Sequence, residues 1–194
     1  MSKKKSKSVP EPKESITSPS NLISLLRMVL VIPLFFLFSS PKTNQLAIAG
    51  LCFFAWMTDL ADGWIARQFG GETKLGRIID PLADKVYIII FVLLLTTSGM
   101  LPLWYTLVVI ARDVIIFSGG MYLRKKTGQL VQSNMLGKAT VVSIGFTLLA
   151  ALFSDGGTDV LFTSLMIVSL GLIFVSLYVY GERFMKLLKT SAKN

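Results

Sequence analysis

An all-α, polytopic membrane protein with six transmembrane helices and both termini cytoplasmic is the fold this sequence predicts, on three observations. Of the 194 residues, 53% are hydrophobic and 16% charged, and the mean hydropathy is +0.64; a soluble domain carries about a quarter charged residues. Six apolar segments follow one another, each near the ~20 residues that span a hydrocarbon core. Lysine and arginine gather at every second connection between them.

The elements follow in order. Residues 1–18 hold five lysines and no apolar core, so a basic, disordered, membrane-facing tail is expected there rather than a cleavable signal peptide. Residues 19–185 form the membrane domain. Its first segment, 20–40, opens on Ser18-Pro19-Ser20-Asn21, a turn and helix-start signal. The second spans 45–68. The third, 77–98, closes at Ser98-Gly99, and Pro102 opens the fourth at 101–123. The fifth is 135–153, and Asp155-Gly156-Gly157 turns into the sixth at 158–181. Residues 186–194 make a basic C-terminal tail.

Charge sets the orientation. The second connection carries Arg67, Lys74 and Arg77, the fourth Arg124, Lys125 and Lys126, and the C-terminus Arg183, Lys186, Lys189 and Lys193. The remaining connections hold only Lys42, balanced against Asp155 and Asp159. This alternation is what six spans with both ends inside require. The net charge of +9 then faces anionic membrane lipids, and no nucleic acid is implied. Trp56, Trp64 and Trp104 read as interface anchors. Histidine is absent, which removes His-based triads and His-ligated zinc. Cys52 stands alone and reads as a small buried hydrophobe.

Four carboxylates break the apolar pattern: Asp59 and Asp62 in the second segment, Asp80 and Asp84 in the third. Each costs roughly 2.5–3.5 kcal/mol at membrane depth even on the mildest scale. Spacings of three and four put each pair on one helical face. Oxygen-only ligands suit hard divalent cations, which would offset that cost. Gly63 and Ala66 keep the face shallow, and Pro81 leaves the carbonyl of Arg77 open to water or ligand. Two such helices can hold a pair of ions, an arrangement suited to a pyrophosphate and to displacement at phosphorus. A structural ion cluster with Arg67, Lys85 and Arg112, or an ion pathway, fits the carboxylates alone equally well.

The run Asp59-x-x-Asp62-Gly63-x-x-Ala66-Arg67, then Gly76-x-x-x-Asp80-x-x-x-Asp84, resembles the signature of the CDP-alcohol phosphotransferases without a substitution. The likeness covers about residues 18–185, and Pro19-Ser20-Asn21-Leu22-Ile23-Ser24 through Arg27 is similar to the family's first-helix opening. It implies an integral enzyme of the cytoplasmic (inner) membrane, its active site facing the cytoplasm, that moves a phosphatidyl group from CDP-diacylglycerol to an alcohol and releases CMP. Asp59, Asp62, Asp80 and Asp84 would bind two divalent cations, magnesium or manganese, with Asp84 also the general base. Asn21, Gly63, Ala66, Arg67, Thr73 and Gly76 would lie against the CDP-lipid, although Thr73 also suits a plain helix cap. A homodimer is implied as well.

For the acceptor, Arg112, Arg124 and Lys138 are cations that fit a phosphorylated polyol. Arg112 also suits a salt bridge, Arg124 a lipid-surface charge and Lys138 a snorkelling side chain. Gly137-Lys138-Ala139-Thr140 and Arg112 resemble features of phosphatidylglycerophosphate synthases, which points to sn-glycerol 3-phosphate. Ala111-Arg112-Asp113-Val114 also resembles the family's cardiolipin synthases, whose acceptor is phosphatidylglycerol; inositol phosphate is a further acceptor in view. Outside the enzyme class, a non-catalytic ion pathway or transporter is the competing reading.

Overall fold

The structure, a computed structural model, describes residues 25–26, 28–69, 76–127, 135–154 and 159–191, with side chains at all of these except 59–69, 76–84, 127 and 189–191. All regular elements among the described residues are helices: α1 Val31–Leu37, α2 Gln45–Phe69, α3 Gly76–Thr97, α4 Leu103–Thr127, α5 Met135–Phe153 and α6 Val160–Ser191. Among the described residues three stretches are long and apolar enough to cross a membrane, namely Leu103–Lys126, Met135–Phe153 and Val160–Leu188; Gln45–Thr58 and Lys85–Thr97 are shorter apolar helices. Large apolar side chains such as Phe36, Phe174 and Val160 stand on the outside, as they do where the solvent is lipid. The described part of the protein is therefore all-helical, with the long apolar helices of a membrane-embedded chain.

Helix and apolar segment differ at both ends of the chain. In the first segment helical backbone at residues 25–26 and 28–29 passes through a turn at Leu30 into the seven residues of α1. Pro33 has no amide hydrogen for the carbonyl of Val29. The path loosens there, between Leu30 N→Leu26 O at 2.9 Å and Leu34 N→Leu30 O at 3.3 Å. At the other end α6 runs 32 residues to Ser191, through the stretch expected to be the C-terminal tail. Loss of hydrophobicity after residue 181 does not end it, because Glu182 and Lys186 pair one turn apart in the order that supports a helix.

Two compact units make up the chain, the first running to Leu37 and resuming over Leu46–Ile90, the second containing Phe38–Gln45 and everything from Phe91. In the first unit Leu34, Ile48, Ala55 and Tyr87 are buried. The Tyr87 hydroxyl donates to Cys52 Sγ at 3.6 Å.

The second unit is built on α6, which packs against α5 and α4. Between α3 and α4 the chain turns through a Schellman motif. Gly99 takes φ 72°, Met100 N bonds Leu95 O at 2.9 Å, and Gly99 N bonds Thr96 O at 3.0 Å. Leu95 and Met100 are both buried, which supplies the apolar contact of that motif. At the far end of α5 two last-turn carbonyls are taken by side chains: Gln45 Nε2 reaches Leu152 O at 2.8 Å and Lys42 Nζ reaches Ser154 O at 3.2 Å.

Hydroxyl groups tie the helices together where no water competes. Thr147 Oγ1 donates to Leu165 O at 3.1 Å and Thr140 Oγ1 to Leu172 O at 3.3 Å, both from α5 to α6. Tyr105 on α4 meets Ser169 on α6 at 2.7 Å, and Thr96 meets Thr106 at 2.5 Å. In an apolar medium an unmade bond of this kind leaves a bare polar group, so small hydroxyls fix which helix faces which.

Candidate active site

The motif positions lie on two consecutive helices of the first unit. Positions 59, 62, 63, 66 and 67 fall in the last four turns of α2, and positions 76, 80 and 84 in the first three turns of α3. The backbone is helical at all eight, so the spacings of three and four are spacings along continuous helix. Gly76 is the first residue of α3, and Pro81, in its second turn, does not end it. The side chains of these residues, the four aspartates included, lie outside the described set, as do Asn21 and Thr73 altogether. Among the described side chains no group of three or more acidic, Cys or His residues stands close enough to hold a metal ion.

The three cations expected to meet the acceptor, Arg112, Arg124 and Lys138, belong to the second unit and differ in environment. Arg112, in the middle of α4, is only 6% exposed. Its Nη1 donates to Asp113 Oδ1 at 2.7 Å, while its Nε is buried without a hydrogen-bond partner among the described residues. A guanidinium carries five donors, so one carboxylate oxygen leaves it with capacity to spare. Arg124 and Lys138, by contrast, are exposed. Arg124 sits twelve residues along α4 from Arg112, about 18 Å of helix. Their backbones are therefore too far apart to flank one small anion. Asp113, which follows Arg112 in the sequence, is its carboxylate partner among the described residues.

A family model described as CDP-alcohol phosphatidyltransferase matches residues 18–178. The cardiolipin synthase (CMP-forming) of Streptomyces coelicolor is 34% identical over 142 residues, 70% of this chain and 65% of that protein. The CDP-diacylglycerol–glycerol-3-phosphate 3-phosphatidyltransferase of Aquifex aeolicus is 32% identical over 175 residues, 87% of this chain and 96% of that protein. A third relative, the cardiolipin synthase (CMP-forming) of Rattus norvegicus, is 37% identical over 108 residues, and the chain spans only 35% of its length.

Proposed function

The chain belongs to the CDP-alcohol phosphatidyltransferase family, and from that premise we propose that it transfers a phosphatidyl group from CDP-diacylglycerol to sn-glycerol 3-phosphate, releasing CMP. One observation carries the acceptor: the match to the Aquifex aeolicus glycerol-3-phosphate enzyme runs over 96% of that protein's length. Arg112 supports it. A buried guanidinium whose Nε has no partner and which pairs with one carboxylate among the described residues is suited to a phosphate monoester.

In the reaction, Asp84 takes the proton of the acceptor hydroxyl as its oxygen attacks the lipid-linked phosphorus. The bond from that phosphorus to the bridging oxygen breaks, and CMP departs with the bond electrons. Arg112 holds the acceptor phosphate, and Arg124 and Lys138 add positive charge along its approach. Asn21, Gly63, Ala66, Arg67, Thr73 and Gly76 lie along the CDP moiety, where small residues let the nucleotide approach the helix. Divalent ions are used generally in this family. The donor set here fits them: four carboxylates, one turn apart in pairs on continuous helix, offer oxygen alone. Asp59, Asp62, Asp80 and Asp84 would hold two such ions, magnesium or manganese, whose charge offsets that of the diphosphate.

Around this chemistry the reading keeps six spans, both termini cytoplasmic, the active site on the cytoplasmic side of the inner membrane, and a homodimer. The alternation of Lys and Arg between connections supports the orientation. Phosphatidylglycerol is the second acceptor, favoured by the 34% identity to the Streptomyces coelicolor cardiolipin synthase.

An acceptor screen with radiolabelled CDP-diacylglycerol tests the proposal. Label should pass to a phosphatidylglycerol phosphate product when glycerol 3-phosphate is supplied, with matching CMP. Product only with phosphatidylglycerol, or only with inositol phosphate, overturns the acceptor. Ion flux in proteoliposomes without CMP formation from any acceptor overturns the transferase.

A further inference from the structure

Helices α4 and α6 end together in a shelf that is aromatic beneath and basic above. Tyr122 on α4 lies 6.2 Å from Phe184 on α6, and Phe184 stacks on Tyr180 at 6.3 Å and 25°. Lys126 Nζ stands 5.8 Å over the Tyr122 ring. Lys125 and Lys126 follow Tyr122 within about one turn, Arg183 adjoins Phe184 in the chain, and all three are exposed. Glu182, the acid on this stretch of α6, is engaged by Lys186, so it does not cancel the three cations. The shelf exists because α6 continues past its apolar run; at 32 residues it extends about 48 Å, well beyond the ~30 Å hydrocarbon thickness.

We infer that this shelf binds the headgroup of an anionic phospholipid. The cations supply the attraction for the phosphate, and amphipathic rings fixed at this level match the boundary between acyl chain and headgroup. Continuity of surface selects a lipid over a soluble anion. The exposed apolar stripe of α4, Leu107, Val114 and Met121, recurs at seven-residue spacing and runs up to Lys125, so acyl chains and headgroup are met by one side of that helix. A soluble anion has no use for that apolar surface. Lys125 lies thirteen residues along α4 from Arg112, so this site is distinct from that arginine, and it needs neither donor nor acceptor to be filled.

The test uses the full chain in phosphatidylcholine vesicles containing nitroxide-labelled phosphatidylglycerol or nitroxide-labelled phosphatidylcholine, with electron paramagnetic resonance reading the immobilised fraction of each. The wild type should immobilise phosphatidylglycerol about threefold in preference. K125Q/K126Q/R183Q should lose the preference, and K125R/K126R/R183K should keep it, with circular dichroism confirming the helical content of both. F184A keeps every charge but removes the ring that joins the two helices, and should lose part of the preference. Equal immobilisation of both lipids by the wild type, or an undiminished preference in K125Q/K126Q/R183Q, overturns the site. An unchanged preference in F184A overturns the shelf and leaves only diffuse surface charge. Because the readout is lipid contact without turnover, failure here is distinct from failure of the transferase reading.

Discussion

Tyr180 fills the space that a side chain at Gly119 would need: a Cβ built on Gly119 would stand 2.9 Å from the Tyr180 hydroxyl. That phenol is not free to swing aside. It donates to the carbonyl of Ile116 at 3.0 Å, and its ring stacks on Phe184. The absent Cβ is thus what lets α6 lie against α4 at this level.

Gly119→Ala should destabilise the protein by about 1–3 kcal/mol, as overpacking does. At Gly120 the added Cβ meets Tyr180 at 3.6 Å, an ordinary contact, so Gly120→Ala should be neutral or gain up to ~1 kcal/mol of helix propensity. Thermal melts in detergent distinguish the two. In a Tyr180→Phe background the cost of Gly119→Ala should shrink, and a double-mutant cycle showing no coupling would refute the contact.

A second stability test falls on Tyr105 and Ser169, bonded at 2.7 Å with both residues fully buried. Ser169→Ala leaves the phenol with Thr147 as its side-chain partner and should cost about 0.5–1.5 kcal/mol. In a Tyr105→Phe background the same change should cost less, and equal costs in both backgrounds would refute the bond.

At the proposed base, Asp84→Asn should bind CDP-diacylglycerol with little change while CMP release falls about 10²–10⁴-fold. The side chain remains similar in size, but the amide cannot accept the acceptor's proton. Turnover near the wild-type rate would remove Asp84 from that role.

Chelation of divalent ions should stop CMP release, with magnesium or manganese restoring it. Asp59→Asn and Asp80→Asn should each raise the ion concentration required, since each removes one anionic ligand. Full activity after exhaustive chelation would exclude the carboxylate quartet as an ion site.

For Arg112, replacement by lysine keeps the charge and loses the planar fork. The KM for glycerol 3-phosphate should rise about 10-fold, with the KM for CDP-diacylglycerol unchanged. A purely structural arginine would instead lower the melting temperature and leave the acceptor KM alone. The pairing with Asp113 makes this comparison necessary.

Much of this protein is legible without coordinates because the information is local. Apolar runs of spanning length mark where α2, α3 and α5 lie, and Ser98-Gly99 marks the turn that the Schellman motif closes. The aspartate spacing is likewise a property of one helix at a time, so Asp59, Asp62, Asp80 and Asp84 stand out before any folding is known. The length of α6 was less visible, since helix continuation past Gly181 rests on side-chain pairing rather than hydropathy.

Tertiary structure alone decided which of three similar cations is buried. Arg112, Arg124 and Lys138 carry the same charge in the chain, but only Arg112 is enclosed, because burial depends on neighbours distant in sequence. The same holds for Tyr105 finding Ser169 and Tyr180 finding Gly119, each pair more than sixty residues apart in the chain. Periodicity says which face of a helix is apolar; only packing of one helix on another says what that face touches.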